Sequence, residues 1–452
     1  MGIERTASAR PSPAFRMALF VLGVVFFSGF INLIPSPGPA LATLLIDGAL
    51  VIMFGAFVVR VGIAQGRMPV SIWMAAWLLL VLAYAALLLQ GGAPFAEQLA
   101  TVRSHALYVF LAIYIATCVE ETAELRRLLE MIMRLGVAFS VFGILQYLLR
   151  AQLPTWLLAS SDTRVFSYFG TDITRSNGLM GNTIVYSAVL LLFLSLWAFK
   201  FAQRPTWRSG LASVVVIVAL MTTFSRIAIA GAVVIALLAL LRMLGKEGIS
   251  KLVPGLVAFS LLGSVVVVAL LADSTTSRAI ADSFIVKELF GGQNESVQGS
   301  TAGHDAFTQF ALNSFGSNPW TGVGIGSQSV VGTTAVQITD GANLAVAVEG
   351  GLALFIPWML LIVTAGLAAF AARKIVDADY RFLAYGLVVF IAYQFGAASF
   401  VNSAIIGKTP FLLFWGAFGI LMGLGRASRR SAGSVSVAVG SDSERHDPAA
   451  IR

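Results

Sequence analysis

The stretch LASVVVIVALMTTFSRIAIAGAVVIALLALL, residues 211–241, is thirty-one residues long and carries one charge, Arg226, near its centre. A run this apolar is buried in lipid or in protein. Backbone in hydrocarbon finds no water to bond, so it must be helical wherever it crosses a bilayer. A guanidinium in the middle of one spanning helix is costly, whereas at a turn between two shorter helices it reaches the interface. The rest of the chain is built in the same way. Hydrophobic residues make up 58% of the sequence, charged residues 12%, and the mean hydropathy is +0.86. No soluble core consumes that much apolar surface, so the composition points to a polytopic membrane protein.

Apolar windows of about 20 residues predict roughly twelve spans, near 16–34, 40–59, 69–90, 104–119, 131–149, 180–199, 209–224, 227–241, 252–272, 342–371, 382–401 and 410–425. The start, MGIERTASARPSPAFRMALFVLGVVFF, has no small-residue cleavage site before the next span and reads as a retained first helix. The run 342–371 is long enough to be tilted, broken, or partly outside lipid. With both termini in the cytoplasm, the same side receives Arg60, Arg67, Arg126, Arg127, Lys200, Arg204, Arg208, Arg242, Lys246, Lys251, Arg373, Lys374, Arg381, Arg426, Arg429 and Arg430. This is the positive-inside pattern. A single helix over 211–241 would invert every later loop. Two helices keep the pattern, put Arg226 at an outer turn, and leave MTTFSR to satisfy the reversal.

The expected fold class is therefore all-α, with one transmembrane domain over 1–430. Its large outward loops cover about 150–179 and about 273–341, the second between the ninth and tenth helices. The tail 431–452 is Ser, Ala and Gly followed by mixed charges, a composition expected to be disordered in the cytoplasm. Long outward loops between otherwise short links are where binding or catalysis is carried.

Several function classes lose support at this stage. One cysteine, Cys118, allows no internal disulfide or cysteine metal cluster and reads as a small core residue. No Gly-rich loop precedes Lys-Ser/Thr, so nothing suggests an ATP motor. Asp377 and Asp379 read as a solvated cytoplasmic turn, His105 as interfacial and His446 as part of the tail. His304 is then the one histidine in an outward loop. No cofactor, metal or nucleic-acid partner is expected. The outward charges include Arg150, Arg164, Arg175, Arg226, Arg278 and Lys287, with acids that include Asp340 and Glu349. For Arg150, Arg164 and Lys287, snorkelling to headgroups or pairing with a nearby acid is the simpler account. Arg226 has apolar helix on both sides and no acid nearby in sequence. An arginine so placed suits diphosphate, because its rigid fork offers paired donors and keeps its proton when desolvated.

Three stretches carry a resemblance. They are RSNGLMGNTIVYSAVLLL at 175–192, TTFSRIAIAG at 222–231, and HDAFTQFALNSFGSNPWTGVGIGS at 304–327, with VEGGLALFIPWML at 348–360 completing the series. Their order and spacing resemble the O-antigen ligase and polysaccharide polymerase superfamily, bacterial integral membrane glycosyltransferases that use lipid-diphosphate-linked glycans at the periplasmic face of the inner membrane. The resemblance implies that Arg175 and Arg226 bind the diphosphate and that Glu349 is the acid at the start of the helix after the large loop. It implies a polyprenyl-diphosphate-linked oligosaccharide as donor and as acceptor, with a chain-length regulator and a flippase as partners. Ligases of this group carry a His-Asn pair ahead of the acid, where this chain has Asp340 and Gly341. That departure favours polymerisation of repeat units over transfer of a finished chain to lipid A core or protein.

The chemistry follows from the leaving group. A sugar on polyprenyl diphosphate needs cations where charge develops, and a base to take the acceptor hydroxyl's proton. Arg175, Arg226 and Arg278 are candidates for the first task; Asp340, Glu349 and His304 for the second. A permease would concentrate its charges near mid-membrane, often in matching halves, whereas here they gather at helix ends. Reporter fusions at 60–67, 200–208, 242–251 and 373–381 are expected to report cytoplasm. Fusions at 155–175 and 285–335 are expected to report the outside, and a cytoplasmic signal from 285–335 defeats the topology.

Overall fold

The computed structural model describes residues 11–32, 38–64, 71–89, 93–149, 152–154, 166–168, 171–173, 175–178, 180, 182–247, 307, 309–328, 341–400, 405 and 407–443. Among them, nine helical stretches are long and apolar enough to cross a membrane, and two shorter apolar helices, Ile72–Leu88 and Trp207–Met221, accompany them. The chain is an all-helical polytopic membrane protein, with one hairpin of two three-residue strands among the described residues. The expected span 252–272 and most of the expected loop 273–341 lie outside the described residues.

The helices are α1 (Pro13–Asn32), α2 (Gly38–Phe57), α3 (Ile72–Leu88), α4 (Phe95–His105), α5 (Phe110–Cys118), α6 (Thr122–Leu148), α7 (Thr183–Gln203), α8 (Trp207–Met221), α9 (Arg226–Glu247), α10 (Ala342–Ala372), α11 (Arg381–Phe390) and α12 (Lys408–Ser443). An antiparallel pair, β1 (Phe166–Tyr168) and β2 (Thr171–Ile173), sits in the expected outward loop, with Ser167 opposite Asp172. The expected span 104–119 is longer on its N-terminal side. It begins at Phe95 as α4, whose polar residues hid it from a hydropathy window, and passes through a tight turn at Leu107–Val109 into α5.

α7 is the centre of the bundle, buried nearly all round, with α6, α8, α9 and α11 packed against it. α6 meets α7 at Gly136, where an added Cβ would lie 2.5 Å from the Phe193 ring. α12 meets α5 at Gly419, where a Cβ would lie 2.8 Å from the Ala112 backbone. Small residues at crossings let helices approach when lipid removes any hydrophobic gain from association. Phe395, Phe411, Phe414, Trp415 and Phe418 form an aromatic core between α11 and α12, with Phe395 and Phe414 centroids 4.8 Å apart. On the outside, Leu44 (70% exposed), Val51 and Leu82 face away from the protein, as lipid contact demands.

One end of the bundle collects cations and the acids that pair with them. Ser12 donates from its backbone N–H and hydroxyl to Glu124, both at 2.6 Å. Arg60 pairs with Glu120 at 2.8 Å, Arg126 with Asp377 at 3.1 Å, and Arg204 with Asp379. Arg426 donates to the carbonyls of Thr117 and Val119 at 2.6 and 3.1 Å, closing the end of α5. Asp377 and Asp379 are thus ion-pair partners within their exposed turn. These pairs gather Arg60, Arg126, Arg204 and Arg430, four of the cations expected to share a side, at one end, while Arg67 and Lys251 lie outside the described residues.

α10 is broken, one of the outcomes its length left open. Gly351 has φ 56° and ψ −154°, and a Cβ there would collide with the Trp320–Thr321 backbone. Replacing it with alanine imposes strain of about 1–3 kcal/mol before any clash. Gly351→Ala is expected to lower the melting temperature of the purified protein in detergent. Gly48→Ala, with nothing within 4 Å of the added atom, is expected to leave it unchanged.

Candidate functional site

Between α8 and α9 the chain reverses at 222–225, the break anticipated around Arg226. The segment satisfies itself through its own side chains, as hydrocarbon requires. The Thr222 and Thr223 hydroxyls each donate to carbonyls three residues back at 2.7 Å, and Thr223 Oγ1 accepts from the Ser225 N–H at 3.3 Å. The Ser225 hydroxyl accepts from Ala228 N–H at 3.4 Å, capping α9. Phe224 adopts φ 51°, the left-handed region that a bulky side chain rarely occupies. Its ring lies 5.8 Å from that of Tyr147, which helps to hold it. Arg226 follows as the exposed first residue of α9.

The segment 175–178 docks on this turn. Ser176 N–H donates to the Thr222 carbonyl at 3.1 Å, so the backbone one residue after Arg175 is tied to the turn four residues before Arg226. A buried carboxamide fixes the segment. Gln146, near the end of α6, accepts from Ser176 Oγ, Asn177 N–H and Gly178 N–H through one oxygen, each at 3.0 Å. Its amide donates to Asn177 Oδ1 at 2.9 Å. Arg175 is half-buried; Ser176, Asn177 and Gly178 are buried. Gly178 rests on Tyr186, whose hydroxyl donates to the Phe139 carbonyl at 2.8 Å, and Asn182 caps α7 by accepting from Ile184 and Val185 N–H.

Glu349 belongs to a second assembly at the same end. The tie runs through 391–400, because the Tyr393 hydroxyl donates to the Ile227 carbonyl at the start of α9 while Gly341, preceding α10, lies against the Phe400 and Ser399 carbonyls. At the break in α10 the turn 318–328 supplies the missing backbone partners. Val323 and Gly324 N–H donate to the Val348 and Glu349 carbonyls at 2.8 and 3.0 Å, and Leu352 and Ala353 N–H donate to the Pro319 and Trp320 carbonyls at 2.8 and 3.0 Å. Gly322, Gly324 and Gly326 all have positive φ, which is why the motif is Gly-x-Gly-x-Gly. Successive N–H groups of such a turn can cradle an anion, and here they face an anion of the protein itself. Glu349 Oε1 accepts from Gln328 N–H at 3.2 Å, with Gly326 N–H and the Thr101 side chain beside the carboxylate. Glu349 is 1% exposed, and its Oε2 has no hydrogen-bond partner among the described residues.

His304, Asp340 and Arg278 lie outside the described residues. The structure therefore ties the segments that carry Arg175 and Arg226 to each other through backbone, and encloses Glu349 separately against the Gly-rich turn. His105 is buried rather than interfacial, its Nδ1 2.6 Å from the Tyr84 hydroxyl and its ring 5.6 Å from that of Trp358. Burial follows from α4 being drawn into the bundle, which the hydropathy of 95–105 conceals. Gln146, Asn177 and Thr101 were also missed. The available signal was a polar side chain in or beside an apolar span, which needs a partner wherever it is buried. Among the described residues, no group of three His, Cys, Asp or Glu side chains is arranged to hold a metal ion. Compared with known proteins, the chain matches no protein-family model and no curated protein.

Removing the Gln146 acceptor strands three buried donors, at about 1–3 kcal/mol for a buried group left unpaired. Gln146→Leu is expected to speed amide hydrogen exchange at Asn177 and Gly178 by about tenfold or more. Gln146→Glu, which keeps an acceptor oxygen, is expected to retain most of the protection.

Proposed function

We propose that the protein is a metal-independent glycosyltransferase that polymerises polyprenyl-diphosphate-linked oligosaccharide repeat units at the outer face of a bacterial inner membrane. One observation carries the reading. The segment that follows Arg175 is bonded to the turn that precedes Arg226 by the Ser176–Thr222 hydrogen bond and is fixed by Gln146. Arginines on the outward side run against the topological bias and suit an anionic partner with phosphate oxygens. With the basic end in the cytoplasm, that partner lies at the periplasmic face, where a lipid-linked glycan presents its diphosphate at headgroup depth.

In the proposed reaction an acceptor hydroxyl oxygen attacks the anomeric carbon of the donor sugar. The new glycosidic C–O bond forms as the anomeric C–O bond to phosphate breaks, and the electron pair leaves on polyprenyl diphosphate. Arg175 and Arg226, joined by Arg278, stabilise that growing charge through paired donors. The hydroxyl proton passes to Asp340, eleven positions before the break at Gly351. Glu349, enclosed against Gln328, positions the Gly-rich turn for this step, and His304 acts on the loop or the phosphate. Leaving-group departure of this kind needs no ATP.

The test is incorporation of a lipid-linked repeat unit into a ladder by purified protein in lipid. Arg175→Ala and Arg226→Ala are each expected to lose at least tenfold in rate, about 1.4 kcal/mol or more of transition-state stabilisation. Lysine is expected to rescue weakly, because a point charge does not reproduce a two-pronged contact. Full turnover by Arg226→Ala at wild-type folded yield removes the residue from the mechanism. Single transfer to a lipid or protein acceptor without a ladder replaces polymerisation with ligation.

A further inference from the structure

A second group of charges lies among the spans, away from Arg175 and Arg226. Asp47 is in the span Leu41–Val61, Arg103 in Phe95–Cys118, and Lys408 opens Lys408–Arg430. Arg103 Nη1 pairs with Asp47 Oδ2 at 3.1 Å, and their side chains are 29% and 27% exposed. Lys408 Nζ donates to Thr43 Oγ1 at 3.0 Å and interacts electrostatically with both Asp47 and Arg103. The Tyr108 hydroxyl lies beside Asp47 and Arg103.

Two cations and one carboxylate leave one net positive charge where ionised groups are expensive and are retained for a purpose. A purely structural ion pair needs one cation for the acid, and Lys408 exceeds that need. Donor capacity is also in excess. Among the described residues Lys408 has three N–H donors and one hydrogen bond, and Arg103 Nε is buried without a partner, against one open acceptor in the cluster, Asp47 Oδ1. A partner that returns the balance carries negative charge and several acceptor oxygens, reaches the cluster through its partly open side, and tolerates hydrocarbon around it. A phosphate on a lipid has each of these properties, whereas a carboxylate supplies two oxygens and a chloride none.

We propose that Asp47, Arg103 and Lys408 form a binding site for the phosphate group of a membrane lipid, with Arg103 and Lys408 as the cationic donors and Asp47 setting their net charge. The site does not depend on the transferase reading, since its occupant is recognised by charge and oxygen count alone. α4 bears Arg103 two residues from Thr101, which lies beside Glu349, so an occupant would also stiffen the helix on which the Gly-rich turn rests.

The test is binding by the purified full chain in neutral detergent, followed by native mass spectrometry with three separate probes: phosphatidylglycerol, a polyprenyl diphosphate, and inorganic diphosphate. A basic residue near a lipid phosphate contributes about 1 kcal/mol, which is roughly fivefold. Lys408→Met is expected to weaken binding about fivefold, and Asp47→Asn, which raises the net charge from one to two, to tighten it by a similar factor. A role confined to holding helices together predicts the opposite for Asp47→Asn, which leaves Arg103 unpaired, so loss of thermal stability without tighter binding overturns the proposal. Equal affinities for all three proteins also overturn it. If Lys408→Met does not fold, Asp47→Asn alone carries the sign of the effect. Preference for polyprenyl diphosphate identifies a lipid-linked substrate as the source, and equal binding of phosphatidylglycerol identifies bulk lipid. Tightest binding of inorganic diphosphate rejects a lipid site.

Discussion

Backbone groups in hydrocarbon have no water to turn to, and the points at which this chain departs from a helix each answer that constraint with a particular partner. At 222–225 the partners are local threonine and serine hydroxyls together with the Ser176 N–H from another segment. At Gly351 they are the N–H and carbonyl groups of 318–324, laid along the broken helix like one rung of a sheet after another. At 175–178 a single glutamine oxygen takes three donors. The irregular segments are therefore specified as tightly as the helices. These are also the segments that carry Arg175, Arg226 and Glu349. A functional group in the bilayer is easiest to place where the helix is interrupted, because there side chains can leave the cylinder without stranding the main chain.

Charge is arranged by the same economy. At the basic end, the Arg60, Arg126 and Arg204 pairs are partly exposed and contribute little each, of order 0–1 kcal/mol. Elsewhere among the described residues, charged groups are tied to specific neighbours: Glu349 is enclosed by the Gly-rich turn, Arg103 is held by Asp47, and the segment after Arg175 is bonded to the turn before Arg226.

The enclosure of Glu349 bears on how a Gly-x-Gly-x-Gly turn is interpreted. Positive φ at Gly322, Gly324 and Gly326 orients successive N–H groups, the geometry that cradles phosphate in other settings. Here the donors at Val323 and Gly324 complete α10, and the one at Gln328 meets a carboxylate of the same chain. An internal acid takes the place of an external anion. The turn is thereby coupled to the helix break and to α4 through Thr101.

Hydropathy is a local property, and it made several features legible without coordinates. The spans of α1, α2, α6, α7 and α12 and the division of 211–241 into two helices followed from local runs and from the side on which cations fell, whereas the length of 342–371 left a tilt, a break or an exit from lipid open. The threonines and serine of MTTFSR announced a turn because only residues that bond their own backbone survive there. Which helix a buried polar group meets is not a local property. Nothing adjacent to Gln146 predicts that it will grip 176–178, nothing near Glu349 names Gln328, and the ten positions of α4 that precede His105 look too polar to enter a bundle. Those pairings depend on which helices approach closely enough to satisfy each other in a medium that offers no water, and that proximity was decided only when the helices packed.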